Sequence, residues 1–158
     1  MKQILEILEK NSHLSPAEIA TMLGRDVEEV KSEISQMEKN GIIVGYKTLV
    51  DWEKAGTESV TAFIELRVTP QRGEGFDKIA ERIYQYEQVK TVWLMSGSFD
   101  IGLVCEGKNM KEVALFVAEK LAPMQSVIST GTHFVLKTYK DSGVIFEKPK
   151  KDERSVIS

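Results

Sequence analysis

The sequence is poor in the residues that mark several classes of protein. Its single cysteine, Cys105, excludes a disulfide within the chain and is typical of a reducing compartment. Cys105 ends the apolar run 101–105, which predicts a buried structural thiol rather than a nucleophile. No apolar run approaches the ~20 residues of a membrane-spanning helix, and the charged N-terminus does not resemble a signal peptide. We therefore expect a cytoplasmic protein that makes no contact with a membrane.

Motifs for catalysis are also missing. The two histidines, His13 and His133, do not combine with Cys105 in any metal-ligand spacing. The sequence contains no G-x-S-x-G motif, no P-loop and no Gly-rich dinucleotide motif. A fold does not by itself exclude catalysis, but no nucleophile–base pair emerges. We expect no enzyme activity, no metal and no cofactor.

Positive charge is not in excess either, since the formal net charge is -3. DNA binding takes much of its free energy from Lys and Arg side chains that neutralise phosphates. An acidic chain can still bind DNA if its basic residues share one surface, or if a dimer presents two such surfaces. The charge therefore disfavours a nucleic-acid partner without excluding one.

The first forty residues predict three short helices, and a β ribbon is predicted after them. Ser15 and Pro16 open the second helix as a capping box with proline at its first position, and Gly24 ends it. Asp26 caps a longer third helix, whose apolar face is formed by Val27, Val30, Ile34 and Met37. The β-favouring segment 42–44 follows. This order predicts a winged helix-turn-helix.

The rest of the chain alternates strands with helices. The predicted order is strand, helix, strand, strand, helix, strand, at residues 59–68, 76–83, 89–95, 99–105, 110–121 and 127–137. This is the ferredoxin-like βαββαβ pattern. Because its helices cover only one face of the sheet, the other face needs a cover, and a second copy of the domain is the usual one.

The predicted fold class is therefore α+β, with an N-terminal winged helix-turn-helix joined to a C-terminal ferredoxin-like domain. We predict a DNA-binding domain over 1–50, a connector over 51–57, the ferredoxin-like domain over 58–140 and a tail over 141–158. The mixed charge of the tail favours a mobile end over a DNA-attachment arm.

Five short segments carry a family resemblance in their order and spacing. They are Gly41–Tyr46, Asp51–Gly56, Val60–Phe63, Gly97–Asp100 and Thr130–Thr132. Over residues 1–140 the chain resembles the Lrp/AsnC, or feast/famine, family of prokaryotic transcription regulators. The resemblance implies a sheet-to-sheet homodimer, often assembled into tetramers or octamers. It also implies double-stranded DNA read by the third helix, and an amino acid or related metabolite bound at contacts between dimers.

The outward face of the third helix would carry DNA binding. At 100° per residue, the side opposite the apolar stripe presents Glu28, Glu29, Ser32, Ser35, Gln36 and Lys39. Ser and Gln suit base edges, and Glu can accept a hydrogen bond from cytosine N4. The candidate phosphate contacts are Arg25, Lys31, Lys39 and, on the predicted wing, Lys47. A solvated face that contacts nothing is the alternative.

The third helix departs from the family pattern, in which it is usually rich in Arg and Lys. From Arg25 to Asn40 the basic residues are Arg25, Lys31 and Lys39, against the acidic Asp26, Glu28, Glu29, Glu33 and Glu38. Acidic groups facing phosphates weaken binding. A second function therefore stays open: a metabolite-sensing oligomer that has lost tight DNA binding and acts through protein partners.

The candidate effector site is the turn between the middle strands, together with the last strand. Amides of Gly97, Ser98 and Phe99 can bind a carboxylate, and Asp100 can pair with an α-ammonium group. Thr130 and Thr132 project to one side of the last strand and can add hydroxyl contacts. The alternative is a plain β-turn in which Asp100 accepts from backbone amides and the threonines are strand formers.

Overall fold

The computed structural model describes residues 1–147 and divides into two compact units, Met1–Val50 and a second that begins at Asp51. The first unit has three helices, α1 (Lys2–Lys10), α2 (Pro16–Leu23) and α3 (Val27–Lys39). Their shared core consists of Ile4, Leu8, Ile19, Ala20, Val30, Ile34 and Met37. Within residues 1–147 no helix is long and apolar enough to cross a membrane.

Local signals set the helix boundaries as predicted. Ser15 Oγ accepts from the amide of Glu18 at 3.2 Å, and the Glu18 carboxylate accepts from the amide of Ser15 at 2.7 Å, which completes the capping box. Gly24 ends α2 in the left-handed region at φ 63°. Asp26 then caps α3 by accepting from the amide of Glu29 at 3.1 Å. The turn between α2 and α3 is therefore short and well defined.

The β ribbon predicted after α3 is not formed: between α3 and Val60 the structure contains no strand. The amides of Ile42 and Ile43 both donate to the carbonyl of Met37, at 2.9 and 3.1 Å, and so close the end of α3. Val44 is 93% exposed. A β-favouring composition makes a strand only where a partner strand is available, and this segment has none within its own unit.

The second unit is the predicted ferredoxin-like domain. Its elements are β1 (Val60–Val68), α4 (Phe76–Tyr84), β2 (Val89–Leu94), β3 (Ile101–Gly107), α5 (Met110–Phe116) with a π-helical turn at Val117–Leu121, and β4 (Val127–Phe134). The four strands lie in the order β2-β3-β1-β4 and all pair antiparallel. The β-α-β-β-α-β prediction is therefore confirmed.

Alternation along the central strand β1 separates the two faces of the sheet. Ala62, Ile64, Leu66 and Val68 are buried against α4 and α5 in one core cluster. Cys105 belongs to that cluster, and burial raises the pKa of its thiol to about 12. The predicted structural role of this cysteine agrees with its position. The residues of β1 that alternate with the four buried ones face the other side of the sheet.

The strand ends differ from the sequence prediction by at most three residues, and the largest differences are at β3 and β4. Phe99 lies before β3 rather than within it, since β3 starts at Ile101, and β4 ends at Phe134 rather than at Lys137. Both differences lie where the hydrogen-bonded pairing with β1 ends. The last recorded bond from this end of β4 to β1 runs from the amide of Val135 to the carbonyl of Thr61, at 2.9 Å.

The start of the predicted tail is ordered. Lys140–Asp141 (β5) pairs with Val144–Ile145 (β6) in a hairpin. Its turn places Ser142 at φ 46° and Gly143 at φ 81°. Positive φ at both central residues is the geometry of the tight turns that join antiparallel strands. The rest of the predicted tail, 148–158, lies outside the described residues.

Candidate DNA-binding helix and effector-binding turn

The outward face of α3 is polar and carries two lysines. Val30, Ile34 and Met37 are buried, which turns the opposite side of the helix to solvent. That side presents Glu28, Glu29, Ser32, Ser35, Gln36 and Lys39, with Lys31 at its edge, and all of them but the half-buried Ser35 are exposed. The predicted candidate residues are therefore brought together on one surface, except for Arg25 and Lys47. Hydroxyl, amide and ammonium groups on one helix face match what DNA recognition uses.

Arg25 pairs with two of the acidic residues of α3. Its guanidinium Nη2 lies 2.7 Å from Oε1 of Glu33 and 3.2 Å from Oε1 of Glu29, while Nη1 donates to the other Glu33 oxygen at 3.3 Å. The fork on Glu33 has the bidentate geometry that strengthens an Arg–carboxylate pair. Arg25, together with the N-terminal ammonium group of Met1 at 3.1 Å from Oε2 of Glu33, holds the pKa of Glu33 at about 2, and the two carboxylates raise the pKa of Arg25.

Two further acidic side chains are also engaged within the unit. The hydroxyl of Tyr46 donates to Oε1 of Glu38 at 2.8 Å, and partial burial together with this carboxylate raises the pKa of Tyr46. Asp26 serves as the helix cap. Four of the five acidic groups counted in the sequence therefore have partners within the unit. Only Glu28 among them points outward with no hydrogen bond or ion pair recorded in residues 1–147.

The two outlying candidates occupy different positions. Arg25 lies in the turn between α2 and α3, with its side chain 24% exposed and its guanidinium held by carboxylates. Lys47 is exposed in the irregular segment after α3, where the wing was expected. Neither position shares the outward face of α3.

Asp100 binds the backbone of β1. Its Oδ2 accepts from the amide of Val68 at 2.9 Å, its own amide donates to the carbonyl of Leu66 at 3.0 Å, and its carbonyl accepts from the amide of Met95 at 2.8 Å. The side chain thus satisfies a backbone donor where the ladder between β1 and β3 ends. This is the role that the alternative β-turn interpretation assigns to it.

The turn itself leaves donors available. In the described residues no hydrogen bond from the amides of Gly97, Ser98 or Phe99 is recorded, whereas the carbonyl of Ser98 accepts from Nε of Arg67 at 3.0 Å. Gly97 has φ 154°, and nothing lies within 4 Å of the position a Cβ would take. The backbone at Gly97 is therefore open to close approach by another molecule.

The two threonines lie apart from this turn. Thr130 and Thr132 pair with Leu66 and Ile64 on β1, so they share the helix-covered side of the sheet and are half-buried there. On its other side β1 pairs with β3, with Leu66 opposite Ile101. One strand therefore separates the threonines from the turn, about 10 Å at two strand spacings. The threonines do share one side, as predicted, but a single chain does not unite them with the turn in one pocket.

The uncovered face of the sheet carries an aromatic cluster. The ring of Phe63 lies 6.0 Å from that of Phe99, 6.5 Å from Trp93 and 6.4 Å from His133. Gly102 makes room for it, because a Cβ there would lie 2.9 Å from Cζ of Phe63. Trp93 remains 47% exposed. Exposed aromatic patches of this kind are typical of interaction surfaces.

A shallow depression of about 450 Å³ lies at the opposite end of the sheet strands from the turn. Its lining includes Trp52, Lys90, Lys108 and Glu112 and none of the predicted effector residues. Mixed charges and an open shape give it no single ligand chemistry.

Comparison with known proteins identifies the family. Residues 61–145 match the model of the Lrp/AsnC ligand binding domain, and residues 1–44 match that of a winged helix-turn-helix DNA-binding domain. The chain belongs to the Lrp/AsnC family. The predicted resemblance and fold class are thereby confirmed. Because this is a family of transcription regulators, the expectation that the chain is not an enzyme is supported as well.

Individual relatives extend over almost the whole Lrp/AsnC-family chain. It is 48% identical over 157 residues to the HTH-type transcriptional regulator YugG of Bacillus subtilis, covering 99% of this chain and 95% of that one. A transcriptional regulator from Neisseria meningitidis, solved with L-methionine, has a TM-score of 0.73 at 22% identity, over 93% of this chain and 92% of that one. A feast or famine regulatory protein from Mycobacterium tuberculosis, also solved with L-methionine, has a TM-score of 0.73 at 19% identity, over 89% and 92%.

Sequence reasoning missed two features of this regulator. The pairing of Arg25 with Glu33 joins residues that lie eight apart across a helix cap, so no helical spacing rule predicts it. The aromatic cluster combines Phe63, Trp93 and His133 from three strands. The sequence did contain a clue to this cluster, because each of these residues alternates with the buried residues of its strand. Once the pairing of the strands is known, the alternation places all three on the uncovered face of the sheet.

Proposed function

We propose that this Lrp/AsnC-family regulator binds double-stranded DNA through the outward face of α3. The observation that carries the proposal is the diversion of acidic side chains to Arg25 and Tyr46. What remains outward is polar and contains one more lysine than carboxylate, with Lys31 and Lys39 against Glu28. These carboxylates keep their negative charge, but Arg25 and Tyr46 occupy them, which counts against the alternative in which the protein acts only through protein partners.

Each group on this face has a distinct role in the proposal. Lys31, Lys39 and, from the following segment, Lys47 would contact phosphates, while Ser32, Ser35 and Gln36 would read base edges in the major groove. Arg25 stays a candidate phosphate contact only at the cost of releasing Glu33. Glu29 is not expected at the interface, because Arg25 draws its carboxylate aside.

Fluorescence anisotropy with duplexes from the protein's own upstream region, and with scrambled duplexes, tests DNA binding at several salt concentrations. Lys39→Glu is expected to weaken binding to every duplex and to reduce the salt dependence, whereas Gln36→Ala is expected to change the base preference. Lys120→Glu, in the second unit, is the control with the same change of charge. If the parent binds DNA and the two variants Lys39→Glu and Lys120→Glu lose the same amount of affinity, then α3 is not the helix that contacts DNA.

The proposed effector is an amino acid held at the turn Gly97–Asp100. The amides of the turn can bind a carboxylate, and the open approach to Gly97 permits direct contact. Asp100, with one oxygen bound to Val68, can offer the other to an ammonium group. The relatives solved with L-methionine support this class of ligand. Since Thr130 and Thr132 lie one strand away, they contribute to the same ligand only across a contact between protomers.

The proposed assembly is a homodimer formed through the uncovered face of the sheet, with further association into tetramers or octamers. The exposed aromatic cluster around Phe63 is the surface that a second copy would cover. A dimer would present two copies of α3 to successive major grooves, about 34–36 Å apart. We infer a cytoplasmic location because a transcription regulator acts on chromosomal DNA. Sedimentation of the full chain, with and without L-methionine, measures both the assembly and its response.

A further inference from the structure

The acidic residues around α3 fall into two groups, those with a partner in the unit and one without. Glu29 and Glu33 are bound by Arg25, Glu38 accepts from Tyr46, and Asp26 caps the helix. Each of these carboxylates has a role within the unit. Glu28 is exposed and has no hydrogen bond or ion pair recorded in residues 1–147, and its one contribution within the unit is a negative charge in the first turn of α3.

Glu28 also lies at a position where its carboxylate would come close to DNA in the proposed complex. It is the second residue of α3, on the same side as Ser32, Ser35 and Lys39. In helix-turn-helix proteins the N-terminal residues of the recognition helix contact base edges. An unpaired carboxylate there is repelled by phosphates unless it finds a donor in the groove. The major groove offers such donors only on some bases.

We propose that Glu28 is a specificity-determining residue that requires a cytosine at one position of each half-site. Cytosine presents the N4 amino group as its major-groove donor, whereas guanine and thymine present acceptors that repel a carboxylate. Adenine places the N7 acceptor beside its N6 donor, so it is a poorer partner. The inference rests on the proposed DNA binding through α3. It adds that Glu28 lowers affinity for all other sequences, so the same carboxylate both selects and excludes.

Selection of duplexes from a random library by the full-length parent protein, followed by sequencing, tests this inference. Glu28→Ala is the test variant. Glu38→Ala is the matched control, because it removes one negative charge from the same helix at a position that faces Tyr46. Dissociation constants are then measured by anisotropy on the selected duplex and on duplexes with each other base at the required cytosine.

The parent and Glu38→Ala are expected to discriminate against the other bases by about tenfold or more at this cytosine. Glu28→Ala is expected to lose discrimination at that position alone and to bind scrambled duplexes more tightly. Unchanged discrimination in Glu28→Ala would overturn the assignment while leaving DNA binding intact. A parent protein that binds no duplex even at low salt would instead overturn the proposed function, and this inference with it.

Discussion

The guanidinium of Arg25 holds the carboxylate of Glu33 with both nitrogens of its fork, at 2.7 and 3.3 Å. Arg25 precedes the cap of α3 and Glu33 lies in the middle of the helix, so the pair secures the turn between α2 and α3 to the body of α3. A recognition helix needs such a fixed orientation, because contacts to phosphates set the position of the whole protein on the duplex and the helix must then meet the base edges.

The Arg25–Glu33 pair predicts a specific acid sensitivity. The pKa of Glu33 is about 2 in the folded protein, against an ordinary value of 4.5. A depressed pKa contributes stability that is fully present above about pH 4.5 and is lost as the pH falls towards 2. Thermal unfolding followed by circular dichroism should show the parent more stable than Glu33→Gln at pH 6, with the difference shrinking below pH 4.5. Glu28→Gln is the control, and a pH-independent gap between parent and Glu33→Gln would contradict the assignment.

Asp100 serves both the fold and the proposed effector site, and two variants separate these roles. Asp100→Ala leaves the partly buried amide of Val68 without its acceptor, which should cost about 1–3 kcal/mol in the free energy of unfolding. Asp100→Asn retains an oxygen for Val68 but loses the charge that would bind an ammonium group. We therefore expect Asp100→Asn to unfold like the parent in urea and to bind DNA normally, but to lose the response to L-methionine or another active amino acid. An undiminished response in Asp100→Asn would exclude Asp100 as the ammonium partner.

Trp93 should control assembly through the uncovered sheet face. Aromatic hot-spot residues contribute about 2 kcal/mol or more, and a homodimer carries the substitution twice, so Trp93→Asp should weaken dimerisation by about 1000-fold. Analytical ultracentrifugation measures this change, and circular dichroism checks the fold. Trp52→Ala, which removes the tryptophan at the shallow depression, should leave the dimer unchanged. Equal association of the two variants would place the interface elsewhere.

The cap of α2 gives a stability prediction independent of DNA or effector. Ser15→Ala removes the acceptor for the amide of Glu18 and should destabilise the first unit by about 0.5–2 kcal/mol. Ser12→Ala, a nearby serine with no recorded side-chain bond in residues 1–147, is the control. Urea unfolding followed by far-UV circular dichroism compares the two, and similar midpoints would show that the cap contributes little.

Local signals in the sequence were sufficient for much of the fold. Ser15, Gly24 and Asp26 each act within four residues of their partners, so the limits of α2 and α3 could be read directly. The order of strands and helices along the chain followed from periodicity and matches the known βαββαβ pattern. The hairpin at Ser142 and Gly143 was missed because its strands are only two residues long, too short to show alternation.

The candidate sites were harder because their geometry is not local. Whether Glu33 opposes DNA depends on Arg25, across a cap. Whether Thr130 reaches the turn at Gly97 depends on β1, which lies between them although it comes first in the chain. Residue types can suggest chemistry, but pairing between distant segments decides which groups meet.

The burial of Cys105 allows opening of the second unit to be measured through the reactivity of its own thiol. It is the only thiol in the chain, it is fully enclosed, and its raised pKa suppresses the reactive thiolate. A thiol reagent can therefore modify it only during excursions in which β3 separates from the helices above it. The labelling rate therefore measures how often that one domain opens, and it can be followed with DNA or amino acids present and without introducing a second cysteine.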